Sequence, residues 1–270
     1  MTKAYASLIL GRAMALGYLT MADLDRPLVS FLSGLDPTTF ADGAETITLH
    51  QALTMRSGMR LSDEQLEALR ENPSRLEGSG LVPALFESGA PISSESQTFF
   101  YQGIDPELVM QVIEAIVPGT AEDFIKTEFL GKMGITNYTW QTTMSGLPAA
   151  SSRARIISRA MVKIGQLVMN NGEWQGEQLI AAPYLAKATS GLVGITIDRI
   201  PDDYVYGYYW HRLDAPVGDQ TYEAQLAWGG GGQRVLVLPE LDLIVVMTGH
   251  DRDDTIMDQI TRRVVPAFAP

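Results

Sequence analysis

The sequence predicts a mixed α/β fold of the α+β type, in which an antiparallel sheet is packed by the first and last helices and a mostly helical subdomain is inserted between them. The chain opens with an apolar run at helical spacing, and the region from about residue 20 to 190 has mostly helical patterns. The region of about 191–270 is strand-rich and closes with an amphipathic helix. No repeat or linker interrupts this order, so residues 1–270 are expected to form one unit.

The first third of the chain is predicted to be helices joined by loops. The opening helix covers residues 1–19, and Gly17 suits its C-terminal end. Residues 74–96 are rich in Gly, Pro and Ser and are predicted to be a loop. Between these segments, shorter helices or turns are predicted at 28–32, 47–55 and 62–71.

The remaining elements follow the same logic of periodicity and end signals. Four helices with an apolar face, and one short extended piece at 135–140, are predicted in the middle of the chain. The helices are 105–117, 121–129, 158–170 and 183–189. Three antiparallel strands and a last helix then complete the chain, at 204–210, 234–238, 243–248 and 255–265.

Composition excludes several classes of function. The 270 residues include 46% hydrophobic ones, which is enough for a sizeable core, and the formal net charge is −12. Such an acidic chain repels nucleic-acid phosphates, and no apolar run reaches the roughly 18 residues of a membrane span. The absence of cysteine excludes disulfides and thiolate chemistry and leaves cytoplasm and periplasm equally open as compartments.

Two side chains are candidates for acid–base chemistry. Lys3 opens an otherwise apolar helix, where a desolvated amine would have a lowered pKa and could act as a base. Tyr101 precedes the predicted 105–117 helix, where its hydroxyl could face a cleft and transfer a proton. The alternatives are a solvated lysine and a packed core aromatic. The three histidines show no spacing typical of a metal site or a triad.

A glycine-rich stretch follows Trp228 and leads into the predicted strand 234–238. Backbone N–H groups of Gly230 or Gly231 could serve as an oxyanion donor at a strand edge. A tight hairpin with a glycine bulge is the alternative.

The order and spacing of several segments resemble the serine β-lactamase and penicillin-binding-protein superfamily. The run Ile47-Thr48 through Ser57-Gly58 resembles the I-T-x-x-x-L-L-T-x-x-S-G segment of class C β-lactamases and their esterase relatives. Tyr101 resembles the second family motif, and Trp228-Gly229-Gly230 falls where the third belongs. Further similar stretches begin at Leu130, Ser158 and Tyr206, so the resemblance covers nearly the whole chain.

The resemblance implies an acyl-serine mechanism that needs no metal or cofactor. Met1-Thr2-Lys3 is similar to the x-x-K of the family motif S-x-x-K, so the nucleophilic serine is expected immediately before Met1, in an N-terminal part that this chain lacks. Lys3 would keep the proton-accepting network poised, and Tyr101 would pass the proton to the leaving group. The serine N–H and a strand N–H near Gly230 or Gly231 would bind the oxyanion.

Two departures of this sequence from the class C β-lactamase motifs indicate which substrate to expect. Gly103 stands where class C β-lactamases have the Asn of Y-x-N, and Trp228 replaces the lysine that helps to bind the β-lactam carboxylate. W-G-G resembles family VIII carboxylesterases, and the tyrosine motif without Asn is similar to 6-aminohexanoate-dimer hydrolases. A small neutral ester or amide is therefore expected, with Trp228, Gly229, Trp210 and Tyr222 as the substrate-binding positions.

Other functions stay open at this point. The chain could be a non-catalytic β-lactamase-fold binding protein or an inactive fragment that pairs with an upstream chain segment or with itself. Within the enzyme class, a β-lactamase or a D-amino-acid peptidase is the further alternative.

Overall fold

The computed structural model describes residues 1–197, 200–250 and 255–269. Its helices are α1 (Thr2–Ala15), α2 (Leu49–Leu53), α3 (Asp63–Glu71), α4 (Leu81–Ser88), α5 (Ile104–Ile116), α6 (Ala121–Phe124), α7 (Ser158–Met169), α8 (Ala182–Ala188) and α9 (Ile256–Gln259). Its strands are β1 (Tyr138–Trp140), β2 (Ala154–Ile156), β3 (Glu173–Trp174), β4 (Glu177–Gln178), β5 (Val193–Gly194), β6 (Val205–Tyr206), β7 (His211–Val217), β8 (Gln220–Gly229), β9 (Gln233–Leu238) and β10 (Leu243–Met247). Short 3-10 turns connect several of these elements.

The main sheet is antiparallel and has the strand order β10-β9-β8-β7-β6-β5. Each strand pairs with its neighbour in sequence, which makes the sheet a meander. The predicted antiparallel sheet, with helices on either side of it and a helical region inserted, is confirmed.

The sheet separates two hydrophobic cores, and β9 supplies both. Val235 and Val237 belong to the larger core, whereas Leu236 and Leu238 belong to the smaller one. Residues of β9 alternate between the two cores because successive side chains of a strand point to opposite faces of the sheet. Helix α7 packs on the larger-core side, against β9 and β10. The last helical segment closes the smaller core with Met257, Ile260 and Val265.

Helix α1 is buried almost all round, which explains why its sequence is apolar on every side. It packs against α5 and α8. Gly17 has φ +83° in the turn that ends it, and its N–H donates to the Met14 carbonyl at 2.9 Å. The buried Arg12 guanidinium forms ion pairs with Glu128 at 2.8 Å and Glu177 at 2.9 Å.

Most predicted helices are confirmed to within a few residues, and the α2 and α3 starts show why. Thr48 and Ser62 each form a capping box with the glutamine three positions later. The predicted helix over 121–129 continues from α6 into a wider turn at Ile125–Leu130, and the predicted last helix likewise widens at Ile260–Val264.

The predicted loop over 74–96 is wrong in its central part, which is helix α4. Val82, Leu85 and Phe86 are buried on one side of this helix, but the surrounding Gly, Pro and Ser residues obscured the pattern. Serine is a common N-cap residue, so the sequence predicts Ser158 as the cap of the 158–170 helix, but Ser158 is the first residue of α7 and the cap position is Ile157.

The strand count was also underestimated, because the β7–β8 hairpin was not predicted. Buried and less buried residues alternate along β7, but Arg212, Asp214 and Pro216 occupy the less buried positions, and a proline and an aspartate are unfavourable in strands. Conversely, of the predicted strand 204–210 only Val205–Tyr206 lies in the sheet. Tyr209 adopts φ +64° and turns the chain, and the three aromatics after Gly207 are buried in the larger core.

None of the helices in the described ranges is both long enough and apolar enough to cross a bilayer.

Candidate active site

The start of α1 lies against the last residues of β8, which β7 leaves unpaired. The Met1 nitrogen donates a hydrogen bond of 2.7 Å to the carbonyl oxygen of Trp228. Met1 can reach this edge because β7 begins at His211, which pairs with Leu226. Strand β8 therefore extends three residues beyond the end of β7. Gly229 allows the approach, since a Cβ there would lie 2.7 Å from Cγ of Met1.

One turn into the chain, Lys3 lies over the ring of Tyr101. Its Nζ is 4.6 Å from the ring centroid and donates a hydrogen bond of 2.9 Å to the carbonyl oxygen of Ser151. Burial lowers the pKa of Lys3 to about 8, although the nearby Glu107 carboxylate partly opposes this shift. An amine with this pKa exchanges protons near neutral pH, as a general base must.

Glu107 organises the backbone segment that holds Lys3. It lies in the first turn of α5, and its two carboxylate oxygens accept hydrogen bonds from the N–H groups of Ala150 at 3.1 Å and Ser151 at 2.9 Å. The carboxylate therefore helps to fix Ser151, the residue whose carbonyl oxygen accepts the hydrogen bond from Lys3. Acidic residues in a first helical turn are common for electrostatic reasons alone, so sequence reasoning did not single out Glu107.

Tyr101 is carried on a short segment that is anchored on both sides. The N–H of Phe100 donates to the Met55 carbonyl at 2.9 Å. On the other side, Nε2 of Gln102 donates to the Met59 carbonyl at 3.1 Å and to Oδ1 of Asp105 at 2.8 Å.

Asp105 is the buried polar centre of this anchor. Besides Gln102, it accepts a hydrogen bond of 2.6 Å from the Ser57 hydroxyl. Burial nevertheless raises its pKa to about 6, because desolvation of the carboxylate outweighs these hydrogen bonds.

A cavity of about 630 Å³ opens beside Tyr101. Its wall includes Ser151 and Glu107, so the cavity adjoins the residues that hold Lys3. Apolar side chains from α3, α4 and the neighbouring loops form most of the rest, namely Leu61, Leu66, Leu69, Leu76, Leu81, Leu85, Phe100, Ile104 and Met144. Ligand pockets are commonly of this size and character.

The glycine-rich stretch forms the turn between β8 and β9. Gly229 ends β8, and Gly231 and Gly232 adopt φ +75° and +90°. The backbone therefore forms the hairpin that the sequence offered as one alternative. A hairpin does not conflict with an oxyanion role for Gly230 or Gly231, and that role stays a prediction.

The aromatic residues predicted to bind substrate lie elsewhere. Trp210 is fully buried in the larger core, and Tyr222 is buried in the smaller one. The Trp228 ring is half-buried, packs toward the smaller core, and lies 4.1 Å from the guanidinium carbon of Arg234. None of these three rings lines the cavity beside Tyr101, and the substrate contacts predicted for them and for Gly229 stay predictions.

The described residues contain no cluster of three or more His, Cys, Asp or Glu side chains suited to a metal ion.

Comparison with known proteins identifies the family and the fold. The family model for beta-lactamases matches residues 1–264. A solved class C beta-lactamase superposes with a TM-score of 0.71 at 13% identity, covering 100% of this chain and 80% of its own. A Bacillus anthracis protein provisionally named 6-aminohexanoate-dimer hydrolase superposes with a TM-score of 0.70 at 16% identity, covering 98% and 70% respectively.

A D-stereospecific amidohydrolase from Streptomyces is a third structural neighbour, with a TM-score of 0.68 at 14% identity over 96% of this chain and 84% of that one. At these identities the likeness establishes the fold. None of the curated proteins is similar enough in sequence to count as a match.

Proposed function

Because this chain belongs to the beta-lactamase family, we propose that it acts as a serine hydrolase, cleaving a small ester or amide through an acyl-serine intermediate. The observation that carries the proposal is the position of Lys3, whose amine lies over the Tyr101 ring at the edge of a largely apolar cavity. A lysine with a lowered pKa next to a tyrosine side chain is a combination suited to moving a proton near neutral pH.

The nucleophile in this proposal is a serine joined to the amino side of Met1. Its oxygen attacks the substrate carbonyl, and its proton passes to the Lys3–Tyr101 pair. As the carbonyl carbon loses its alcohol or amine, Tyr101 returns a proton to that leaving group. Water then attacks the acyl-serine, which releases the acid and restores the serine hydroxyl.

The edge of β8 offers the oxyanion donor. Backbone groups of alternate residues in an extended strand face the same edge. Since the Trp228 carbonyl faces Met1, we expect the N–H of Gly230, two residues on, to face the same side. Gly231, next in the turn, is the other candidate donor. Such a preorganised N–H stabilises charge that develops on the carbonyl oxygen.

An ester or amide is favoured over a β-lactam for one reason. Trp228 occupies the position where β-lactamases have the lysine that helps to bind the β-lactam carboxylate. Arg234 lies next to Trp228 but is buried, and its Nη1 donates to the carbonyl oxygens of Gly229 at 2.7 Å and Gln233 at 2.8 Å. Its guanidinium therefore supports the hairpin rather than reaching a substrate.

A fluorophosphonate probe combined with intact-mass spectrometry of the full-length protein tests the proposal. We expect a single adduct, located by peptide mapping on a serine immediately before the Met1-Thr2-Lys3 sequence. Labelling should fall strongly in Lys3→Met, since the serine then lacks its base. A folded protein that takes up no probe would contradict the proposal, and the non-catalytic binding protein would replace it.

A further inference from the structure

The cavity beside Tyr101 has one wall that is rich in leucine, the leucine wall. Leu69, Leu76 and Leu85 are buried beneath it, while Leu66 and Leu81 are partly exposed at its surface. Burial of apolar ligand surface against such a wall is favourable at roughly 25 cal/mol per Å². This part of the cavity therefore suits a hydrocarbon chain.

One of the two arginines that line the cavity, Arg60, packs on an aromatic ring of its wall. The guanidinium carbon of Arg60 is 4.0 Å from the centroid of the Phe100 ring, and Nη1 donates to the Met59 carbonyl at 2.8 Å. Arg60 lines the cavity and is half-buried. It forms no ion pair within 4.0 Å among the residues that the structure describes, although the buried Asp105 carboxylate interacts with it electrostatically at longer range. Its remaining N–H groups can serve a ligand.

The other charges of the cavity wall are already engaged or exposed. Arg70 forms an ion pair of 3.1 Å with Glu67. Glu107 accepts the two backbone N–H groups of residues 150 and 151. Asp63 is exposed at the start of α3, where the helix dipole favours a carboxylate. Arg60 is thus the cavity cation best placed to pair with a ligand.

We propose that the cavity binds a substrate with an apolar chain that ends in a carboxylate, with the chain on the leucine wall and the carboxylate on Arg60. This inference rests on the proposed hydrolase function for its substrate role, since the bound chain would be one side of the cleaved ester or amide. It departs from the neutral substrate expected from the sequence, because Arg60 supplies a cation at a place other than the third motif. Arginine binds carboxylates in a bidentate geometry that an amide cannot match.

Octanoate and octanamide are suitable probes, because they share a chain and differ in the charge of the head group. Calorimetric titration of the full chain should give at least tenfold tighter binding of octanoate than of octanamide. In Arg60→Gln we expect this preference to fall to twofold or less. Arg70→Gln is the matched control, since it removes an arginine of the same wall that is already paired, and it should keep the preference.

Equal affinity of the native protein for both probes would overturn the proposal, as would a preference that survives in Arg60→Gln. A thermal melt of each variant checks folding, and Arg60→Lys, which keeps the charge, should retain part of the preference. The titration requires no turnover. A preference for octanoate without fluorophosphonate labelling would uphold the binding site and reject the hydrolase, and labelling without the preference would do the reverse.

Discussion

The nitrogen of Met1 and the carbonyl oxygen of Trp228 are 2.7 Å apart, although 227 positions separate them in the chain. This hydrogen bond joins the first turn of α1 to the end of β8. It brings Lys3, the glycine-rich turn and the Tyr101 segment into one region, and the geometry of the proposed reaction depends on it.

Substitution of Gly229 is expected to disturb this junction. In Gly229→Ala the new methyl group would lie 2.7 Å from Cγ of Met1 and 3.2 Å from its nitrogen, so the start of α1 must shift. We expect kcat/KM for a test ester to fall by about 100-fold, because small misplacements of reacting groups have large effects. Gly194→Ala, in β5 and outside the site, is the control, since its Cβ would meet no atom within 4 Å. Equal losses in both variants would argue against a steric cause.

Removal of the Tyr101 hydroxyl should slow the chemical step. Tyr101→Phe keeps the ring beneath Lys3 but removes the proposed proton donor, and we expect kcat to fall by about 10² to 10⁴ with a small change in KM. Steady-state kinetics on an activated ester and on the corresponding amide measure the effect, which should be larger for the amide because its leaving group is more basic. Tyr18→Phe, at an exposed tyrosine, should behave as the native protein. Full turnover in Tyr101→Phe would show that the assigned role is wrong.

The pH profile should report the Lys3 amine. With a pKa of about 8, the neutral form needed for a base becomes more abundant as pH rises, so kcat/KM should increase through pH 8 and then level off. The Glu107 carboxylate raises this pKa, and Glu107→Gln should therefore move the rising limb to lower pH. Glu114→Gln, on the same helix, is the control. An unchanged limb in Glu107→Gln would exclude Lys3 as its source.

Stability should depend on pH through Asp105. Its pKa is about 6 in the folded protein against 3.8 for the unfolded group, so the folded state holds the proton more tightly. The associated stabilisation is fully present below pH 3.8 and is lost as pH rises through 6, with a loss of up to about 3 kcal/mol. Chemical denaturation at several pH values measures it. In Asp105→Asn this decline should disappear, and a decline of unchanged size would assign it to other groups.

The sequence predicted the elements whose signals are local. The caps at Thr48 and Ser62 and the apolar face of α5 mark their helices within a few residues of chain. Helix α4 and the β7–β8 hairpin were not predicted. Their stability comes from burial against distant segments, which outweighs an unfavourable local composition.

The candidate site shows the same division. Lys3 and Tyr101 were singled out as residue types in a recognisable order, and they do lie together; their catalytic roles stay predictions. The Ser151 carbonyl, 148 positions from Lys3, carries no sequence signal because any residue has one. In the sequence, Arg60 likewise resembles an ordinary surface residue. Its position in the cavity wall, next to the leucines, is known only from the structure. Trp210 and Tyr222 were chosen for their aromatic character, but burial depth is a property of tertiary packing.

The leucine side chains of the cavity wall and the proposed proton-transfer pair come from different stretches of chain, although Tyr101 also lines the cavity. The leucines belong to α3, α4 and the turn between them, whereas Lys3 is on α1 and Tyr101 is tethered through Met55, Met59 and Asp105. Diversification of residues 61–85 by directed evolution could therefore redirect selectivity toward longer, shorter or differently charged compounds while the reaction centre is left intact. The fold lends itself to laboratory libraries confined to a single contiguous segment.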